Sequence, residues 1–412
     1  MSKLKPVRGT KDLFGNDEYY LHKEIIDVAE YCASRYNFEG ISTPIFESTD
    51  VFKRTLGETS DVVNKEMYSF DSKGGESLTL RPEFTAGVVR AFISNGMQQK
   101  LPLKLFSAGP LFRYERPQKG RQRQFHQINF EWLGAVGSEC EVQLISLAEL
   151  ILNDLGIEKY TLELNSLGDD ESRDNYRNAL VEYLQEFKED LSEDSKKRLD
   201  VNPLRILDSK DKNDKKIVEN APKTIDYLSE YSQKFFEQVK SGMDNLGIAY
   251  VVNPKIVRGL DYYNDTVFEF ISNDEESGSQ STILAGGRYD RLVRQMSGQS
   301  GGDDVPAVGF AAGIERLAIL SDIQIDDREI IAVIPESENE KNDAVKIATY
   351  LRNESGEFVE LFLSGNFNKK MKKANANNAD VIIVLRDGGR IEIKSDLEER
   401  KIEIEEMLAG SS

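Results

Sequence analysis

The most constraining feature of the chain is the pattern over residues 78–134, where short runs of β-forming residues are cut by Pro82, Pro102, Pro110, Pro117 and Gly120. Proline removes a ladder donor and glycine admits turn conformations, so such runs fold as antiparallel strands joined by loops. Over residues 112–125, Arg113 sits on one strand and Phe125 on the next, and the loop between them carries Arg116, Lys119, Arg121 and Arg123. A guanidinium fixed on a strand suits bidentate phosphate binding, and a phenyl ring suits stacking on a base. Residues 100–125 hold seven Lys or Arg against one acid, Glu115, in a chain whose net charge is −19. The average argues against nonspecific coating of nucleic acid; the local patch marks either a polyanion site or a solvated loop.

At 412 residues the chain exceeds one ordinary core, so two or three domains are expected. Ile25, Val28, Ala29, Cys32 and Tyr36 recur at helical spacing, and residues 139–155 read as another helix. Residues 169–246 become highly charged, with one apolar stripe at Tyr176, Leu180, Leu184, Phe187 and Leu191, the mark of an inserted helical subdomain. Strand signals return at 250–257 and 266–271, and the polar stretches 273–282 and 297–304 read as mobile loops. After Leu320 the order is strand, helix, strand, helix, strand, a small α/β domain with a largely parallel sheet. The expected fold class is therefore α/β, with an α+β catalytic part.

Other constellations are weaker taken singly. Residues 258–263, RGLDYY, could form a turn with an Arg258–Asp261 ion pair or part of a site. Residues 307–317, AVGFAAGIERL, read as small residues leading into a helix, and residues 81–86, RPEFTA, put a carboxylate on a loop. No P-loop sequence occurs, nor any Ser-His-Asp or metal-ligand spacing, and with only His22 and His126 histidine-based catalysis is disfavoured. Cys32 and Cys140, far apart, read as half-buried free thiols suited to a reducing compartment. No signal-peptide core or membrane-length apolar run is present, so no membrane association and a cytoplasmic location are expected.

The joint order of these segments resembles the histidyl-tRNA synthetases of class II. Residues 41–47, ISTPIFE, look like motif 1 with Pro44 in the dimer-forming element; residues 112–133 resemble motif 2, and residues 313–317, GIERL, resemble motif 3. RGLDYY and residues 285–290, AGGRYD, resemble two signatures particular to the histidyl family, and the likeness extends through TLELNSLGD at 161–169 and NPLRILDSKD at 202–211. The resemblance implies a class II antiparallel sheet flanked by helices at 1–168 and 247–322, a helical insertion at 169–246 and an anticodon-binding α/β domain at 326–412.

It also implies a reaction. ATP and L-histidine form histidyl adenylate with release of pyrophosphate, and the histidyl group then passes to the terminal adenosine of tRNA(His). In this reading Arg113 holds the α-phosphate, Phe125 and Arg316 sandwich adenine, Glu115 and Arg121 complete the ATP site, and Mg²⁺ accompanies the pyrophosphate end without dedicated protein ligands. Glu83, Thr85 and Gln127 clamp the amino acid, Glu131, Tyr263 and Tyr289 read its imidazole, and Tyr262 also belongs to the histidine site. Arg258 touches histidine and supplies fixed charge opposite Arg113, both acting as catalytic groups; Arg116, Gln118 and Lys119 meet the tRNA acceptor end. The family is homodimeric. Two departures stand out: Phe84 where many relatives have glycine, and the short DGGR turn at 387–390 in the last domain. The alternative within the same fold is a histidine-binding regulatory subunit of ATP phosphoribosyltransferase, a type that typically lacks the catalytic arginines and the C-terminal domain. Four lysines over residues 365–378, without an acid, suit RNA phosphates.

Overall fold

The computed structural model describes residues 4–57, 60, 62–117, 121–207, 209, 211–256, 262–274, 281–298, 303–325 and 328–409. They form two compact units, Met1–Gln324 and Ile325–Ser412. In the first unit the strands are β1 (Glu39–Gly40), β2 (Phe46–Ser48), β3 (Tyr68–Asp71), β4 (Ser77–Leu80), β5 (Leu103–Phe112), β6 (Gln124–Leu133), β7 (Tyr160–Ser166), β8 (Val251–Val252), β9 (Asn264–Ser272), β10 (Thr282–Arg288) and β11 (Ala307–Gly313). Its helices are α1 (Leu21–Arg35), α2 (Thr49–Leu56), α3 (Thr85–Ser94), α4 (Glu139–Asp154), α5 (Asp170–Glu186), α6 (Glu193–Val201), α7 (Lys212–Val218), α8 (Glu230–Leu246), α9 (Leu292–Ser297) and α10 (Ile314–Leu320).

Among the described residues an eight-stranded sheet runs β1-β5-β6-β11-β10-β9-β7-β8, antiparallel from β5 through β7. The pair expected around the basic loop is its longest ladder, from Leu103 opposite Leu133 to Phe112 opposite Gln124. The strand expected over 250–257 shrinks to Val251–Val252, paired parallel with β7, because Pro254 has no N–H with which to continue the ladder. One face of the sheet is covered by α1, α4 and α8, which bury Ile25, Ala29 and Cys32, then Leu144, Ile145 and Ile151, then Phe236, Val239 and Met243. Both cysteines are free and lie deeper than half-buried.

Helices α5 to α8 each start on a capping side chain, Asp169, Ser192, Asp211 and Ser229, that accepts from the first-turn amides. The stripe read from sequence is a small core, with Tyr176, Leu180, Leu184 and Leu191 buried and Phe187 packed at its margin. Asp214 braces it, accepting from the hydroxyls of Ser192, Ser195 and Ser209. Helix α8 instead packs its apolar side into the main sheet's core.

The second unit contains β12 (Ile331–Pro335), α11 (Lys341–Asn353), β13 (Val359–Leu361), α12 (Phe367–Ala376), β14 (Val381–Arg386), β15 (Arg390–Ser395) and α13 (Glu398–Ala409). The order is β13-β12-β14-β15, parallel across the first three strands and antiparallel at the last. The antiparallel return is possible because Gly388 and Gly389 hold φ values of 74° and 78° in the DGGR turn, which side chains with a Cβ rarely adopt. Of the four lysines expected to face RNA, Lys370 is buried and donates to the Pro335 carbonyl, so it serves the fold; Lys369, Lys372 and Lys373 are exposed.

Candidate active site

Strand periodicity builds the site. Alternate residues of a strand point to one face. On β6 this sends Phe125, Gln127, Asn129 and Glu131 into a cleft of about 970 Å³, while Ile128 and Phe130 turn to the core. Glu83, Thr85, Arg113, Glu115 and Arg121 line the same cleft, as do Tyr262, Tyr263, Tyr289 and Arg316.

At one end, Glu131 is almost completely buried on β6. Its Oε1 accepts from the Thr85 hydroxyl and from Asn129 Nδ2 at 3.0 Å, and its Oε2 accepts from the Tyr289 hydroxyl. Burial pushes the carboxyl up to about 7, against the pull of those donors. A carboxylate offers about four acceptor positions, so among the described residues one remains unfilled, on Oε2. Gly309 makes room for the carboxylate itself, since a Cβ there would fall 2.0 Å from that oxygen. Tyr262, Tyr263 and Tyr289 form a ring cluster here, with centroids 4.6 Å apart for the first pair and 5.6 Å for Tyr262 and Tyr289. Gly286 and Gly287 let β10 approach this close, since a Cβ on the former would meet the Gly309 carbonyl at 2.3 Å.

Glu83, also buried, accepts from the amides of Thr85 and Ala86 at 2.8 and 2.7 Å, which anchors the start of α3 and leaves further lone pairs for a ligand. Burial raises its carboxyl above the ordinary range, opposed by those amides and by Arg113. Arg113, just past β5, donates Nε to the Pro82 carbonyl at 2.9 Å, and its guanidinium carbon lies 5.4 Å from the Phe125 ring centre. Arg121 pairs with Glu115 at 2.8 Å, and Arg316 donates to the Thr282 carbonyl. Burial and then the charge of Arg121 weaken the hold of Arg316 on its proton. A cluster of guanidiniums beside an aromatic face can take a nucleoside polyphosphate; a carboxylate with one open acceptor amid tyrosines can take an N–H of a small ring.

Residues 20–317 match the family model for histidyl-tRNA synthetase. The chain is 52% identical over 386 residues to a histidine--tRNA ligase of Rickettsia bellii, covering 93% of this chain and 91% of that protein, and 51% identical over 387 residues to one of Rhodospirillum rubrum, with the same coverage. The solved structure of apo histidyl-tRNA synthetase from S. aureus superposes with a TM-score of 0.78 at 30% identity, covering 98% of this chain and 100% of that one. The chain belongs to the histidyl-tRNA synthetase family. Its antiparallel sheet flanked by helices is the class II fold, and ATP is the substrate that the family's reaction consumes.

As a histidyl-tRNA synthetase family member, the chain gathers most of the residues singled out by its motifs into the one cleft. Arg116 is exposed and is not among the cleft-lining residues. Arg258, Gln118 and Lys119 lie outside the described residues, as do residues 275–280 and 299–302 of the two polar stretches. Phe84 lines the cleft, buried beneath the guanidinium of Arg81 with 4.5 Å between them. Of AGGRYD only Ala285 and Tyr289 line the site. Arg288 turns into the core, where it pairs with buried Glu141 at 2.5 Å and donates to the Ala135 carbonyl at 2.7 Å. Sequence reasoning missed Asn129 and Gly309. The first was available from the alternation of β6; the second needed the pairing of β11 against Glu131.

Proposed function

We propose that the chain ligates L-histidine to tRNA(His) in two steps, with the cleft as the site of both. The observation that carries this reading is the single open acceptor on Glu131 Oε2, beside Gly309 and beneath the tyrosines. An imidazole N–H fits that acceptor and a tyrosine hydroxyl can satisfy the second ring nitrogen; an apolar analogue would leave both unpaired and be rejected strongly. Glu83 faces the α-ammonium, with Thr85 and Gln127 alongside.

The carboxylate of histidine attacks the α-phosphorus of ATP, forming an O–P bond as the bridging bond to pyrophosphate breaks, and needs no base because it is already ionised. Arg113 holds the α-phosphate, Phe125 and Arg316 enclose adenine, and Arg121, held by Glu115, adds charge at the phosphates. Arg258 supplies positive charge on the other side, so catalysis is positioning plus charge stabilisation. A hydroxyl of the terminal adenosine then attacks the carbonyl carbon of the adenylate and AMP leaves. The loop with Arg116, Gln118 and Lys119 meets the acceptor end.

Mg²⁺ suits the pyrophosphate end, where it would bind the phosphate oxygens without dedicated protein ligands and would offset phosphate charge. The domain division read from sequence belongs to this proposal too, with catalysis at 1–168 and 247–322, the insertion at 169–246 and anticodon binding at 326–412. Dimerisation through the motif 1 region is supported by Pro44, Ile45 and Phe46, all exposed, with Phe70 beside Phe46 at 6.5 Å between rings. Exposed apolar surface of this kind marks an interface. Among the described residues no helix is long and apolar enough to cross a membrane; a cytoplasmic site of protein biosynthesis is part of the same reading. Histidine-dependent exchange of pyrophosphate into ATP, followed by charging of tRNA(His), tests it. Binding of histidine without exchange would favour the regulatory-subunit alternative.

A further inference from the structure

We propose that His22, His126 and Glu315 form a binding site for a divalent transition metal of the zinc class, separate from the Mg²⁺ that accompanies ATP. These are the chain's two histidines, and sequence spacing gives no hint that they meet. His22 is the second residue of α1, His126 lies on the core-side alternation of β6, and Glu315 is the second residue of α10. One donor atom from each lies within 4.8 Å of the other two. The rings of His22 and His126 stand edge to face with centroids 5.6 Å apart, and His126 Nδ1 is already 2.9 Å from Glu315 Oε1.

A second, independent observation points to a ligand. Nδ1 of His22 is buried and has no hydrogen-bond partner. Nearly all buried polar atoms are paired, so an orphaned ring nitrogen beside another imidazole and a carboxylate calls for an electrophile. Burial lowers the pKa of His22 below its ordinary value, so its ring is neutral at physiological pH and offers a lone pair.

The donor set then selects the ion. Two imidazoles and one carboxylate suit Zn²⁺, Co²⁺ or Ni²⁺ and leave a fourth position for water, whereas Mg²⁺ takes oxygen donors. Bonds of about 2.0–2.1 Å in a tetrahedron place donors roughly 3.3–3.5 Å apart, so His22, whose donor lies within 4.8 Å of the other two, closes by no more than about 1.5 Å while the His126–Glu315 pair opens slightly from 2.9 Å. Side-chain rotation supplies such movements. The side chains of His126 and Glu315 remain partly exposed, which gives the ion a route in, and both oxygens of Glu315 hold the His126 amide at 3.0 Å, which pre-positions the carboxylate.

The test uses full-length protein stripped with chelator and titrated with Co²⁺, whose visible d–d bands report tetrahedral coordination, and then with Zn²⁺ by calorimetry. The expected result is a tetrahedral Co²⁺ spectrum displaced by Zn²⁺ and not by Mg²⁺. His22→Gln and His22→Phe should each weaken binding by about 100-fold or more, at or beyond the upper end of losses caused by second-shell changes. Both variants should retain pyrophosphate exchange in metal-free buffer with Mg²⁺ and ATP, which establishes that they are folded. Wild-type protein without tetrahedral bands, or two folded variants that bind as wild type does, would overturn the proposal. Failure of exchange in the wild type would instead remove the ligase reading and leave the metal result standing.

Discussion

Replacing Tyr289 by Phe removes one hydroxyl and, with it, the only donor to Oε2 of Glu131 among the described residues. A hydrogen bond to a charged acceptor contributes about 1.5–3 kcal/mol, and one pH unit corresponds to about 1.4 kcal/mol, so the Glu131 titration should move alkaline by about one to two pH units. In the wild type that titration lies at about 7. If histidine needs the ionised carboxylate, kcat/KM for histidine near neutral pH should fall about five- to fifty-fold, from half ionised to about 10% or 1%. Activity should recover as pH rises. Histidine's own imidazole titrates in both proteins, so the difference between the two pH profiles isolates Glu131. Stability follows with a definite sign: the folded-state pKa lies above the ordinary 4.5, so this group's stabilisation is full below about 4.5 and is lost as pH rises through about 7. In the variant the loss continues to higher pH and becomes larger, so urea midpoints should converge in acid and separate in mild alkali. A pH-independent loss of kcat/KM, or profiles that coincide, would refute the assignment of Glu131 as imidazole acceptor.

Gly309→Ala places a Cβ 2.0 Å from Glu131 Oε2, which forces the carboxylate off its open position; KM for histidine in the exchange assay should rise at least tenfold, with overpacking costing about 1–3 kcal/mol in urea unfolding. Arg258→Ala should lower kcat for exchange far more than it weakens histidine binding measured by calorimetry, and near-normal exchange would exclude its charge-stabilising role. Glu141→Gln removes one of the two carboxylates paired with Arg288, whose side chain is 2% exposed and keeps Asp290 at 3.1 Å, and should cost about 1.5–3 kcal/mol in urea unfolding.

Much of the fold was legible because its signals are local. The β-forming runs cut by proline and glycine foretold the antiparallel ladder of β5 and β6, and the stripe from Tyr176 to Leu191 foretold a small helical core, since both signals lie in adjacent turns and runs of the chain. The chain beyond Asp396 was not read as a helix, although Ile404 and Leu408 bury one side of α13; two apolar contacts among many charges carry little periodic signal. The basic run on α12 misled for a related reason. Charge alone does not reveal that Lys370 turns inward to a carbonyl while its neighbours face solvent.

The sequence by itself determined the long antiparallel pair, the inserted helices and the motif order that singles out Phe125, Gln127 and Glu131. Only the tertiary structure decided what those residues can do. Glu131 meets Thr85 and Tyr289 from positions 46 and 158 residues away, and Gly309 on the neighbouring strand leaves the room its carboxylate occupies. His126 meets Glu315 across 189 residues. Acidity and ligand geometry depend on burial and on partners only a few ångströms off, and those partners are brought in by pairing and packing rather than by neighbours along the chain.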